Sequence, residues 1–345
     1  MSVTLDPDLL AVAHYDDRGV PVLGRDAEIA ALARAGARDL CVARIFEGHL
    51  NGLGLVARFG TTAQRACARL DARGGRIFGV WNTEDEDGVA FDVADERLRL
   101  RGWKSWASGA RAIARPIVTA RDADGRAQML LVPLDAIAVA IDDTKWQPLG
   151  MEATDSVRVG FDGVTLPRDA RLGEPGDYMR EPWFSGGATR FVAAQTGALE
   201  RLVTETLEYL IDRGRDADSL QVARVAEMRV ALETARLHVA RGRDAWKAFD
   251  AAPDDAHAAD VVVAADCARV AVARAATGIL ERAMTAVGAR GLVAPHPFAR
   301  LVRDLQMYLR QPAPDAIARR IGDTAFAEAR SARTIGSARS TATGA

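Results

Sequence analysis

The sequence predicts an α+β protein in three successive parts, helical, then β, then helical again. Three observations carry this. Up to about residue 75 apolar residues recur three and four apart, the spacing of a half-buried helix. From about 76 to 172 short β-branched or alternating runs are separated by turn formers such as Asp122, Asp124 and Gly125, which reads as small antiparallel strands. From about 185 to 330 long alanine- and arginine-rich helical periods return. The domains expected are therefore an N-terminal helical domain (1–75), a middle antiparallel β domain (76–172) and a C-terminal helical bundle (185–330), followed by a polar, small-residue tail (331–345) expected to be disordered.

Taken in order, the first twenty or so residues have no clear period, and the stretch from Asp26 to Phe59 reads as helix. The runs GRIFGVW, GVAFDV, RLRLRGW, ARPIVTA, AQMLLVPL and IAVAI supply the strands, and four of the six tryptophans, Trp81, Trp103, Trp106 and Trp146, lie among them. The later helical runs have stripes lined with small residues, which suits close-packed antiparallel helices in a four-helix bundle. Pro312 and Pro314 stop the run that contains Arg303.

The chain of 345 residues is 49% hydrophobic and 27% charged, with a formal net charge of −2. That balance gives no reason to expect a nucleic-acid partner. The three cysteines, Cys41, Cys67 and Cys267, are scattered, which fits a reducing compartment and no metal site. No signal-like start and no run near the ~20 apolar residues of a membrane span is seen, so a soluble cytoplasmic protein without membrane insertion is expected.

Four patches carry a family resemblance: FGVWNTEDEDG (78–88), RGWKSWASGA (101–110), WQPLGMEATDSVRVGFDGVTLPRDARLG (146–173), and the pair TAVGARGL (285–292) with RLVRDLQMYL (300–309). With the three-part plan they make the chain resemble the acyl-CoA dehydrogenase family over roughly residues 35 to 325. The resemblance implies FAD between the β domain and the bundle. It gives Thr83 contact with the flavin ring, Trp106 packing against the isoalloxazine, and Ser108 a hydrogen bond near flavin N5; a flat aromatic face and a hydroxyl donor are what such a ring needs. Arg213 and Arg215 are possible pyrophosphate partners, since guanidinium matches phosphate geometry. Gly288 lets backbone approach a ligand. The resemblance also implies a homo-oligomer, either a homodimer that completes the flavin site or a homotetramer of two such dimers.

The sequence departs from the family at its base. Counting from Arg303 and Asp304, the usual catalytic glutamate falls on Pro312, in YLRQPAPDA. Asp315, three residues on, Asp216 in the turn after YLIDRG, and His296 are the candidate catalytic groups. The helix preceding the family-like segment is also short. The resemblance thus implies an FAD-dependent oxidoreductase that removes hydrogens from the α and β carbons of an acyl-CoA or related thioester and passes electrons to an electron-transfer flavoprotein or to oxygen. Two alternatives stand beside it: a flavin monooxygenase or oxidase on the same scaffold, which needs no α-proton base, and a non-catalytic flavin-binding or scaffold homologue.

Overall fold

A computed structural model of the chain describes residues 3–293 and 295–342. Four helices come first: α1 (Pro7–Leu10), α2 (Gly24–Arg38), α3 (Leu40–Phe59) and α4 (Thr62–Arg73). The continuous helical period from Asp26 to Phe59 is broken once, at Asp39. Its backbone is extended and its carboxylate accepts from the Cys41 and Val42 N–H groups, so an N-cap restarts the helix. Thr61 and Gln64 form a reciprocal capping box that starts α4.

The β region holds β1 (Phe78–Trp81), β2 (Ala90–Ala94), β3 (Arg97–Arg101), β4 (Trp103–Ala107), β5 (Arg115–Arg121), β6 (Ala127–Leu131), β7 (Ala140–Asp142), β8 (Val157–Gly160), β9 (Thr165–Pro167) and β10 (Arg171–Leu172). One sheet runs β10-β6-β5-β2-β3-β9, with β1 also on β5; the other runs β4-β8-β7. Neighbours are antiparallel except that β1 and β2 each lie parallel to β5, so the antiparallel domain expected from the sequence is a mixed one. β1 enters straight from α4 and lies against α3: an added Cβ on Gly52 would sit 3.0 Å from Phe78 Cβ. That packing fixes its direction beside β5.

The C-terminal part contains α5 (Trp183–Gly186), α6 (Ala188–Asp212), α7 (Ser219–Ala251), α8 (Asp255–Val287), α9 (Pro297–Tyr308) and α10 (Pro314–Ala342). Asp218 and Asp254 cap α7 and α8, two 33-residue helices each about 50 Å long at 1.5 Å per residue. α2 crosses α6 with its backbone almost touching. A Cβ on Gly36 would lie 1.9 Å from the Ala194 carbonyl oxygen, and one on Gly197 would lie 1.9 Å from that of Ala33, so only glycine permits the crossing. One hydrophobic core runs from Leu5 through both sheets to Tyr308. The backbone of α10 is helical through Ala342, into the segment 331–345 expected to be structureless; alanine and arginine there are good helix formers. Residues 343–345 of that segment lie outside the described residues. No helix among the described residues is long and apolar enough to cross a membrane.

Candidate functional site

Three non-glycine residues with left-handed backbone converge at the exit from β4: Trp106 (φ 55°), Met151 (φ 59°) and Asp155 (φ 46°). Each such conformation costs on the order of 1 kcal/mol or more and persists only where its surroundings impose it, which is typical of sites that hold ligands. Here the constraint is a single 3-10 turn, Glu152–Thr154. The Gly109 N–H donates to the Thr154 carbonyl at 2.7 Å, and the Ala110 N–H to that of Asp155 at 3.3 Å. The Trp146 indole N–H donates to Glu152 O at 3.0 Å.

The result is a displayed aromatic face. Trp106 is 56% exposed although it belongs to a strand, and its ring stands edge-on to Trp146 with centroids 6.1 Å apart. Ser108 lies just below. It accepts from Ser156 Oγ at 2.9 Å, and its carbonyl takes the Trp81 indole N–H at 3.0 Å. Since Ser156 is the donor in that pair, the Ser108 hydroxyl proton remains available to a ligand. Thr154 Oγ1, 2.8 Å from Ser156 Oγ, continues this buried row of hydroxyls. Thr83 is exposed, and its carbonyl accepts from the Ser105 N–H at 3.2 Å. β1 and β4 thus bring Thr83, Trp106 and Ser108 to one locus.

Beneath Thr83 sits Lys104, wholly buried. Its ammonium donates to Glu84 Oε2 at 2.7 Å, Thr119 Oγ1 at 3.1 Å and the Asn82 carbonyl at 3.4 Å. Burial holds the Lys104 pKa below its ordinary value, while Glu84 opposes that shift. Lys104 therefore pins both residues that flank Thr83. In the sequence it was visible only as the lysine of RGWKSW; its inward strand position was the signal for a structural role, and the carboxylate partner 20 residues away was not legible.

On the other side, α9 docks against the same turn. Asp304 Oδ1 accepts from the Met151 N–H at 2.6 Å, and a Cβ on Gly150 would fall 2.2 Å from the Arg303 carbonyl oxygen. Arg300 bridges Asp304 (3.4 Å) and Asp39. Burial raises the Asp304 pKa, and the bond from Met151 and the charge of Arg300 partly offset this.

The remaining candidates gather elsewhere. His296 caps α9, accepting from the Phe298 N–H at 3.2 Å, and packs edge-on to Tyr209. The Arg213 guanidinium lies 5.2 Å from the centre of that same Tyr209 ring. Arg215 reaches the Ala286 carbonyl at 3.4 Å and Asp218 at 3.7 Å. Gly288 ends α8 with φ 77° and open space where a side chain would be. Asp216 is exposed in the α6–α7 turn. These five residues share one end of the bundle, whereas the docking point at Asp304 lies eight residues along α9 from His296, about 12 Å. Asp315 is exposed in the first turn of α10. It follows Ala313, whose backbone is left-handed (φ 56°), between Pro312 and Pro314.

Comparison with known proteins fits this architecture. Residues 178–321 match the family model described as acyl-CoA dehydrogenase, C-terminal domain. The chain as a whole has an acyl-CoA dehydrogenase-like fold, an N-terminal helical region, a central mixed β domain and a C-terminal helix bundle. Among curated relatives, the 3-sulfinopropanoyl-CoA desulfinase of Paraburkholderia xenovorans (strain LB400) is 25% identical over 287 residues, covering 76% of this chain and 70% of the relative. The glutaryl-CoA dehydrogenase of Desulfococcus multivorans is 30% identical over 234 residues, covering 64% of this chain and 57% of that enzyme. Among solved structures, the dibenzothiophene monooxygenase TdsC from Paenibacillus sp. A11-2, in complex with FMN and indole, superposes with a TM-score of 0.82 at 21% identity, covering 92% of this chain and 87% of that one. KijD3 in complex with FMN and a dTDP-sugar gives 0.80 at 22%, covering 94% and 87%. This overturns the expectation of FAD: these structural neighbours hold FMN. The physical reason is that the two cofactors share one isoalloxazine ring. The ring-binding patches of the sequence therefore do not distinguish them.

Proposed function

We propose that this protein is an FMN-dependent monooxygenase acting on a small substrate as a homodimer or a pair of dimers. When bound, reduced FMN supplies two electrons to dioxygen, so that one oxygen atom enters the substrate and the other leaves as water. Trp106 offers the ring a flat face, Ser108 a free hydroxyl proton, and Thr83 a hydroxyl at the ring's edge. Arg213, whose guanidinium meets an aromatic ring rather than a carboxylate, suits a phosphate reached from a second subunit. Dioxygen is then the acceptor, with no electron-transfer flavoprotein. The observation that supports this reading is the Pro312–Ala313–Pro314 turn, which stands where the family resemblance would put an α-proton base. Oxygenation needs none.

A second reading, dehydrogenation of an acyl thioester with Asp315 as a relocated base, is favoured by the CoA-enzyme names of the curated relatives. One stopped-flow experiment separates the two. Protein loaded with FMN is reduced by dithionite without air, then mixed with dioxygen and indole or other small acceptors. Oxygenated product at rates above free reduced FMN is expected. Reoxidation without product, together with bleaching of the oxidised flavin by an acyl-CoA, would overturn the proposal in favour of the second reading.

A further inference from the structure

α3 has two working faces. One lies on β1. The other meets the start of α6 and the end of α9, and there it carries a polar group inside the fold. Glu47 is buried and accepts from Arg44 Nη1 at 2.8 Å and from Arg190 Nε at 3.3 Å. Arg190 also donates to Asn51 Oδ1 at 2.8 Å. Two guanidiniums thus share one carboxylate. The adjoining network does not correct the imbalance. Arg25 pairs with Glu28 and Asp250, while Arg58 stacks on Trp183 and donates only to the Gly19 carbonyl. Across both networks, four guanidiniums (Arg25, Arg44, Arg58, Arg190) face three carboxylates (Glu28, Glu47, Asp250). Arg190 is 12% exposed and Arg44 29%, so Arg190 is largely desolvated while Arg44 keeps an edge toward solvent by which an anion could join the pair.

Tyr308, at the end of α9, closes this group. Its ring is 5% exposed, and its hydroxyl is buried with no hydrogen-bond partner. Arg44 and Glu47 are the charges that act on it. The Tyr308 carbonyl accepts from Gln195 (3.0 Å) and Gln311 (2.7 Å), which fixes the main chain from which the ring projects. Tyr178 faces the same three charged residues, and burial followed by Glu47 pushes its pKa up to about 12; it is a phenol donor. The group borders the flavin side of the fold, since a Cβ placed on Gly48 would lie 3.6 Å from Arg44 Nη1 and 3.9 Å from Gly79 Cα on β1. Thr83 is four residues further along that chain, about 13 Å at strand rise.

We propose that this group is the substrate-recognition site, and that it selects a small substrate bearing an anionic oxygen group, bound by the Tyr308 hydroxyl and by Arg44 and Arg190. The inference rests on the monooxygenase reading for the occupant's being substrate; the anion site itself rests on the geometry alone. A buried hydroxyl without a partner destabilises the empty protein and gains a strong, charge-assisted bond when an anion arrives.

The test uses charge-matched probe pairs of two sizes, acetate against acetamide and benzoate against benzamide. Each is titrated by calorimetry into the full-length protein with and without FMN. At least one carboxylate is expected to bind ten or more times tighter than its amide. Tyr308→Phe and Arg44→Met should each weaken carboxylate binding by about tenfold or more, with FMN affinity unchanged. Tyr308→Phe should also raise the melting temperature of the unliganded protein, which a merely structural tyrosine would not do. The proposal is overturned if the amides bind as well as the acids, or if Tyr308→Phe leaves carboxylate affinity unaltered. It is also overturned if the variants lose FMN rather than carboxylate, which would make the group a flavin-phosphate site. Carboxylate selectivity in a protein that binds no FMN would uphold the anion site and sink the flavin reading.

Discussion

Replacing Gly150 with alanine tests whether α9 and the Glu152–Thr154 turn form one rigid support for the Trp106 face. The added Cβ would lie 2.2 Å from the Arg303 carbonyl oxygen, 2.4 Å from its carbon and 2.7 Å from the Asp304 nitrogen. All three are backbone atoms that cannot swing aside. Ordinary contact begins at 3.4 Å, so α9 must withdraw by about 1.2 Å. That shift stretches the 2.6 Å bond from Met151 to Asp304 to about 3.8 Å, beyond hydrogen-bonding range. The variant then loses a charge-assisted bond, roughly 1.5–3 kcal/mol, and bears an overpacking cost of roughly 1–3 kcal/mol. Urea unfolding should show a loss of about 3–5 kcal/mol, and FMN affinity should fall with it. Gly322→Ala is the control. It sits in α10 with open space around it, and should be neutral or stabilise by about 0.5–1 kcal/mol. A Gly150→Ala protein as stable as wild type, with FMN affinity intact, would refute the docking argument.

Lys104→Met keeps the side chain's bulk but frees the strand end that carries Thr83; we expect about 2 kcal/mol less stability by urea titration and roughly tenfold weaker FMN binding by flavin fluorescence. Trp106→Ala removes a ring that is 56% exposed, so stability should change by less than about 0.5 kcal/mol while FMN binding weakens at least about tenfold; unchanged binding would remove Trp106 from the site. His49 is buried, accepts from the Phe78 N–H, and has its pKa pushed down to about 4 by desolvation. Its folded pKa lies below its unfolded value, so the stability linked to it is present above about pH 6.5 and is lost as pH falls towards 4, in total about 3 kcal/mol. In His49→Gln, stability measured over that window should fall less steeply than in wild type.

What was legible in the sequence was local. The segments 101–110 and 146–173 each hold several fixed points in order, and the structure lays Trp106, Ser108 and the turn after Met151 against one another. The break at Asp39 was missed, because the apolar period runs on across it and only the extended backbone of the N-cap reveals the restart. The partners were not legible either. Glu84 for Lys104, Ser156 for Ser108, and Tyr308 for Arg44 are joined only by tertiary packing, at separations of 20, 48 and 264 residues. No periodicity encodes such pairs. The parallel placement of β1 beside β5 was hidden for the same reason: its strand pattern is that of any short buried run, and α3 decides where it lies.

The division of the candidate site into two clusters leads to a sharper test. Trp106, Ser108 and Thr83 lie around the docked turn, whereas Arg213, Gly288 and His296 occupy the far end of the bundle, with α9 between the groups. If a homodimer, as proposed, brings these groups from different subunits to one flavin, the ring contacts come from one chain and the phosphate contacts from the other. In an isologous dimer each of the two sites then draws one part from each subunit. Trp106→Ala and Arg213→Ala proteins would each have two damaged sites. Unfolded together and refolded as an equal mixture, half of the dimers would be mixed. Each mixed dimer would carry both lesions in one site and none in the other, restoring roughly a quarter of all sites to wild-type FMN affinity. Recovery near that fraction, measured by equilibrium dialysis, is the expected outcome. A mixture that binds no better than its parents would mean that the ring and phosphate contacts come from the same chain, and Arg213 would leave the site.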